Sequence, residues 1–316
     1  ASLVTVHSLL AKWFDRRRGA ALSISTAGGS AGAVILTPFA AYLILMAGWR
    51  VTWLVLGTMI IFLALPLALL LIRDDPADMG EAPDGDARET DGSPSKKISS
   101  GRRGPLEVTD WRHSYRSLPM WQLSGAFFVC GVTTSIISFH YIPFAVDRGL
   151  SLGTAALAFG LMSGLNFLGV IGIGAISDRF GRKYLLGWVY AVRGLAYAML
   201  ILAPGMIGLW GFAVIAGVAW VATAPLTASL TADIYGLKAL GTLNGMAMFS
   251  HQLGGALSIF MGGLLYDLLG SYDVPFAIAG SLLVFASLAS FSIEEKRYSS
   301  RFQPTPELAR APMLGG

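Results

Sequence analysis

Charge is what this chain has least of. Asp, Glu, Lys and Arg make up only 13% of its 316 residues, about half the roughly 25% of an average soluble domain. A soluble fold of this size needs more charge to cover its surface. Cysteine is nearly absent as well. Cys130 stands alone, which excludes an intrachain disulfide and a multi-cysteine metal site. Inside a long apolar run it reads as a small buried residue rather than a reactive thiol. No catalytic triad, metal cluster or nucleophile motif is present, so the expectation is no enzyme, no metal and no cofactor. Gly169, Gly172 and Gly174 lack the strand–turn–helix context of a nucleotide loop. There is no initiator Met, basic leader or cleavage site before Ala1-Ser2-Leu3, and the start is expected to be a cut.

What the chain has instead is apolar length. Hydrophobic residues make up 54%, and the mean hydropathy is +0.62. They fall into nine runs: 1–14 (partial), 19–48, 51–72, 120–146, 153–176, 184–203, 208–232, 243–268 and 273–293. A helix crossing a bilayer needs about 20 residues, and all but the first run are long enough. Only helices satisfy their own backbone over such runs in lipid; a barrel needs short alternating strands. The 38 glycines suit helices packed backbone to backbone. The expected fold class is therefore an all-α integral membrane helix bundle.

Basic residues orient it. All of the 23 Lys and Arg except Arg50, Arg148 and Arg193 fall in Lys12 and Arg16–Arg18, in the segment after the third run, around Arg182, at Lys238 or in the tail. That one-sidedness predicts a cytoplasmic face, and it accounts for the net charge of +4 without nucleic acid. The expected organisation is 1–72 as three spans, 73–119 as a flexible cytoplasmic linker, 120–293 as a six-helix bundle and 294–316 as a cytoplasmic tail. The setting is a multi-pass protein of the cell membrane.

The sharpest motif is Gly174-Ala175-Ile176-Ser177-Asp178-Arg179-Phe180-Gly181-Arg182-Lys183, between the fifth and sixth runs. It resembles the signature loop G-x-x-x-D-R-x-G-R-K of the major facilitator superfamily, with every fixed position filled. An internal match, Ser25–Gly29 against His251–Gly255, fits the parallel repeats of such transporters. The stretch Trp13-Phe14-Asp15-Arg16-Arg17-Arg18-Gly19 resembles the start of the fifth helix in monocarboxylate-transporter-like members. Asp75–Gly80 with Pro83-Asp84-Gly85 is similar to the segment after their sixth helix, and His251–Gly255 to their eleventh. The resemblance implies a twelve-helix bundle of which nine, helices four to twelve, are present. It also implies a latch in which Asp178, with Arg179, Gly181 and Arg182, approaches the backbone near Gly19 or the side chains of Arg17 and Arg18. Run 153–176 carries no arginine, where some members of that subgroup hold a substrate-binding one.

Polar residues inside the runs are the candidate binding residues. Arg193 lies about 15 Å deep at 1.5 Å per residue and costs about 2.5–3.5 kcal/mol unless paired. It is read either as an anion counter-charge or as a structural arginine bonded to carbonyls or to Asp233. His140, Tyr141 and His251 are expected to share a central cavity with Gln252, Asn166 and Trp220. His7, Ser25, Thr26 and Thr223 are further polar residues in the runs. No carboxylate falls in the middle of a run, which favours an anionic cargo. The leading expectation is a secondary transporter, symporter or antiporter, for a small organic anion such as a monocarboxylate, with a coupling proton. Efflux of amphipathic compounds and a non-transporting receptor or scaffold are the alternatives.

Overall fold

The computed structural model describes residues 3–85 and 104–302, and every regular element among them is helical. α1 (Leu3–Trp13) is short. α2 (Arg18–Met59) runs through a π-helical turn (Ile60–Ala64) into α3 (Leu65–Leu71). A second group comprises α4 (Leu118–Asp147), α5 (Leu152–Ser177), α6 (Arg182–Leu202), α7 (Gly205–Ala219), α8 (Thr223–Tyr235), α9 (Leu240–Leu269) and α10 (Asp273–Phe291), followed by the single turn α11 (Glu295–Tyr298). Seven stretches are long and apolar enough to cross a membrane, and six of them lie between Leu118 and Phe291.

The first of the seven covers 54 residues, Arg18–Leu71, and as one rod it would reach about 80 Å. It is two helices. Arg73 O accepts a hydrogen bond from Trp13 Nε1 at 2.9 Å, and Asp74 pairs with Lys12 at 2.7 Å, so the chain returns to where it left. The reversal falls at Gly48 (φ 80°, ψ 166°), in a region of backbone space that glycine alone occupies cheaply. The runs 19–48 and 51–72 are thus separate. Run 208–232, by contrast, is broken into α7 and α8 at residues 220–222.

The second group has two rims. At one, Ser117 meets Tyr235, Gln122 meets Ser292 and Lys183 meets Phe291 O. At the other, Tyr266 donates to Asp147, and Arg148 pairs with Asp273. The six stretches therefore alternate in direction. Tyr190, Tyr197, Phe212, Phe276 and Leu283 are fully buried in their core. α4 and α9 touch backbone to backbone: a Cβ on Gly131 would lie 1.8 Å from His251 O.

The segment 73–119 is not free throughout, contrary to expectation. Asp84 accepts from the backbone N–H groups of Asp15, Arg16 and Arg17 at 3.1, 2.8 and 3.4 Å. Leu106 N donates to Ile234 O, and Glu107 pairs with Lys238 at 3.2 Å. Each end of the segment is pinned to a different group of helices. The parts at 86–103 and 303–316 lie outside the described residues.

Candidate functional site

Two polar assemblies stand out, one at the basic rim and one in the middle of the bundle. At the rim, α5 ends at Ser177 and hands the chain to Asp178. Its Oδ1 accepts from Gly19 N at 2.7 Å and its Oδ2 from Ala20 N at 2.9 Å. The free N–H groups and positive dipole end of α2 favour a carboxylate there. Gly19 permits the approach, since a Cβ would lie 1.9 Å from Ser177 Oγ and 2.8 Å from Gly174 O. Of the expected arginine contacts, Arg182 reaches Asp178 at 3.2 Å. Arg17 and Arg179 are exposed and stand apart from it. Arg18 turns to Asp233 at 2.7 Å and Asp15 at 3.2 Å.

Asp233 is the hub that sequence reasoning misplaced. It is buried and paired with both Arg18 and Arg182, each also buried, so it joins α2 to α6 through α8. Its assignment to Arg193 is wrong: two closer guanidinium groups occupy both its oxygens. A brace from the chain's end completes the rim. Glu295 accepts from Arg182 N at 2.9 Å and Lys183 N at 3.1 Å, next to Gly181, the N-cap of α6. Burial pushes the Glu295 carboxyl above its usual range, and the two amides pull it back. Arg301 donates to the carbonyls of Ser177, Asp178 and Phe180. Nothing in the local sequence marks Glu295 or Arg301, whose partners lie more than 100 residues away.

The mid-bundle assembly surrounds the break between α7 and α8. Asn166 Oδ1 accepts from Val221 N at 3.0 Å, and its Nδ2 donates to Ser30 Oγ at 3.2 Å. One side chain thus satisfies a donor freed by the break and ties α2 to α5. Trp220 faces Arg193, whose guanidinium carbon lies 5.1 Å from the ring. Arg193 is fully buried. Its Nη2 donates to Thr133 Oγ1 at 2.5 Å and its Nη1 to Cys130 Sγ at 3.4 Å, while Nε has no partner. Cys130, read from sequence as an apolar filler, is bonded to Thr223 Oγ1 at 3.0 Å. His251 approaches from α9, with Nε2 3.4 Å from Thr134 Oγ1 and Nδ1 3.1 Å from the exposed Gln252.

The expected trio does not meet. His140 bonds Ile259 O at 3.1 Å and faces Tyr272, a level of the α4–α9 contact away from His251. Tyr141 points to another side. It is buried, donates to Leu209 O at 2.8 Å and packs on Phe159 and Phe212. Adjacent helical residues diverge by about 100°, which is why the pair separates. A small open cleft of about 20 Å³ lies between α1 and α4, α8 and α9, lined among others by His7, Phe127, Thr227 and Asn244. His7 is bonded there to Thr26 at 3.0 Å, and the His251 ring meets Phe127 at a tilt of 46°, 4.9 Å between ring centres. Among the described residues no group of three or more His, Cys, Asp and Glu is placed to hold a metal.

A family model described as Major Facilitator Superfamily matches residues 1–259 and 173–315. An uncharacterized MFS-type transporter, YcxA, of Bacillus subtilis (strain 168) is 30% identical over 91% of this chain and 66% of its own length. Monocarboxylate transporter 12-B of Danio rerio is 26% identical over 96% and 66%. A probable sulfoacetate transporter, SauU, of Cupriavidus necator is 27% identical over 87% and 65%. The chain therefore spans somewhat less than two thirds of the length of these relatives. A crystal structure of the E. coli fucose:proton symporter FucP matches with a TM-score of 0.65 at 16% identity, covering 91% of this chain and 72% of that one, a likeness of fold.

Proposed function

This chain belongs to the Major Facilitator Superfamily, and from that premise we propose that it moves a small organic anion across a membrane by alternating access. The basic rim is the cytoplasmic face in this reading, and the two groups of helices rock about the mid-bundle level. One observation carries it: Asp178 of one group sits on the backbone N–H groups of Gly19 and Ala20 of the other. Such a contact joins the groups when the rim is closed and breaks when it opens, so it biases the conformational equilibrium without touching cargo. A partly buried carboxylate at a helix N-terminus contributes about 1–2 kcal/mol, or roughly a five- to thirty-fold population shift. Arg193 supplies fixed positive charge, and the described spans hold no acid at its level. His251, Gln252, Asn166 and Trp220 are the residues proposed to meet the anion. Relatives named for monocarboxylates and for sulfoacetate point to the same charge class.

The test is uptake of labelled lactate by the full-length protein in proteoliposomes, with and without an inward proton gradient. Accumulation above protein-free vesicles is expected. Asp178→Asn should slow it several-fold while changing the half-saturating concentration less, and should raise the labelling of cysteine probes at the basic rim. Absence of uptake for lactate and for a panel of other small carboxylates and sulfonates would overturn the cargo class. Unchanged probe labelling in Asp178→Asn would overturn the latch.

A further inference from the structure

Arg193 poses a problem of charge. It is 0% exposed in the middle of α6, and an arginine does not give up its proton. A guanidinium at that depth needs a counter-charge. Asp233 and Asp178 are engaged at the rim. Among the described residues, the side chains that meet Arg193 in a hydrogen bond or ring contact are Thr133, Trp220 and Cys130, and of these the thiol alone can become an anion near neutral pH. The same sulfur is bonded to Thr223, and one turn along α4 Thr134, whose hydroxyl donates to Cys130 O, has the His251 ring 3.4 Å away. Gly131, one residue beyond Cys130, is what lets α9 come close enough to place that ring.

We propose that Cys130 is the counter-ion of Arg193, and that the two with His251 form a proton site inside the bundle. Unloaded, a thiolate faces the guanidinium beside a neutral imidazole, and the site is net neutral. Loaded, one proton taken from water sits on the sulfur or on the imidazole and the site carries +1; unloading returns the proton to water, and no other bond changes. His251 is suited to pass that proton, because it is part-exposed and its ring packs on Phe127, which lines the cleft.

The surroundings are consistent with this. From α6, Tyr190 and Tyr197 donate to Ala126 O and Thr133 O at 2.8 and 2.5 Å, so their hydroxyl protons are engaged. The α7–α8 break presents Trp220 and Thr223, α9 presents His251 with Gln252, and α1 presents His7 in the cleft that Phe127 also lines. α5 has no ionisable side chain, and that of α10, Asp273, sits at the far rim with Arg148. Because an uncompensated charge in a desolvated bundle is costly, loading the proton favours a monoanion nearby, and the anion favours the proton. This use of the site rests on the transport reading above; the proton site itself does not.

The experiment is therefore one that needs no cargo. Full-length protein in nanodiscs is titrated from about pH 5 to about pH 9, and the ultraviolet thiolate band is read as parent minus Cys130→Ser, which cancels any other cysteine. An ordinary thiol, titrating near 8.5, is roughly 3% ionised at pH 7. The parent should show at least about ten times that fraction. Arg193→Lys, which keeps the charge, should retain the band, and His251→Asn should move its midpoint. Arg193→Gln should lose it, and if that variant does not fold, the parent titration and Arg193→Lys decide. A Cys130-dependent band that is missing below pH 8 overturns the proposal and leaves cargo as the counter-ion of Arg193. Because lactate plays no part here, failure of the uptake test and failure of this one are separate results.

Discussion

Asp178 and Asp233 show what a single residue's neighbourhood in sequence does and does not reveal. Asp178 was readable because its motif is local: ten consecutive residues carry the pattern, and the carboxylate needs only a helix N-terminus to bind. Asp233 sits in the stretch Thr231-Ala232-Asp233-Ile234, which gives no sign of its true partners, and its two arginines lie 215 and 51 residues away. Its burial makes it the more costly to lose. Asp233→Asn leaves Arg18 and Arg182 both buried with less compensation, and should destabilise the protein by about 3–5 kcal/mol. Thermal unfolding in detergent checks this, and a variant as stable as its parent would show that Asp15 and Asp178 suffice. Cys130 is buried, as its apolar run implies, but its polar contacts are not legible there. The run is apolar in one dimension, whereas the polar side chains bonded to the sulfur come from α6 and α8.

At the scale of elements, hydropathy located the helices well because burial in lipid demands long apolar runs whatever the packing. It did not locate the interruption at residues 220–222. Trp220, Val221 and Ala222 are as apolar as their neighbours, and the freed backbone donor is repaired by Asn166 on another helix. The reversal at Gly48 was legible only as a gap between two runs, with Trp49 and Arg50 beside it. The dihedral angles there suit glycine and penalise any residue with a Cβ. Gly48→Ala should therefore cost about 1–3 kcal/mol and loosen the return of Arg73 to Trp13. The fluorescence of Trp13, read in a variant lacking the other tryptophans, together with the melting temperature, reports both effects. Melting and fluorescence like those of the parent would mean that the turn tolerates a side chain.

For the whole molecule, the question is what couples one group of helices to the other. Among the described residues, the ties that cross between them include Asp178 to Gly19 and Ala20, Arg18 to Asp233, and Asn166 to Ser30. The first depends on bare backbone, so Gly19→Ala should act as Asp178→Asn does. Its added methyl lands within 2.8 Å of Asp178 Oδ1 and pushes the carboxylate away. Either change should open the basic rim, read as several-fold faster labelling of a cysteine probe placed there. The double variant should be no faster than the stronger single one, because both remove the same contact. Additive effects would place Gly19 and Asp178 in separate devices.

Composition and order alone determined that this chain lies in a membrane as a bundle of helices, which rim is basic, and where the signature loop falls. These follow from one-dimensional quantities: the length of apolar runs, the side on which lysine and arginine collect, and a contiguous motif. Which polar side chains meet was decided only by the tertiary structure. His140, Tyr141 and His251 read as one site and are three separate places. Cys130 and Glu295 read as incidental, Asp233 reads as a partner of Arg193 and Asn166 as a cavity residue, yet all four hold the assemblies together. The physical reason is that a helix turns each successive side chain by about 100°. Facing partners are thus set by the rotation and height of helices packed from distant parts of the chain, which no local pattern records.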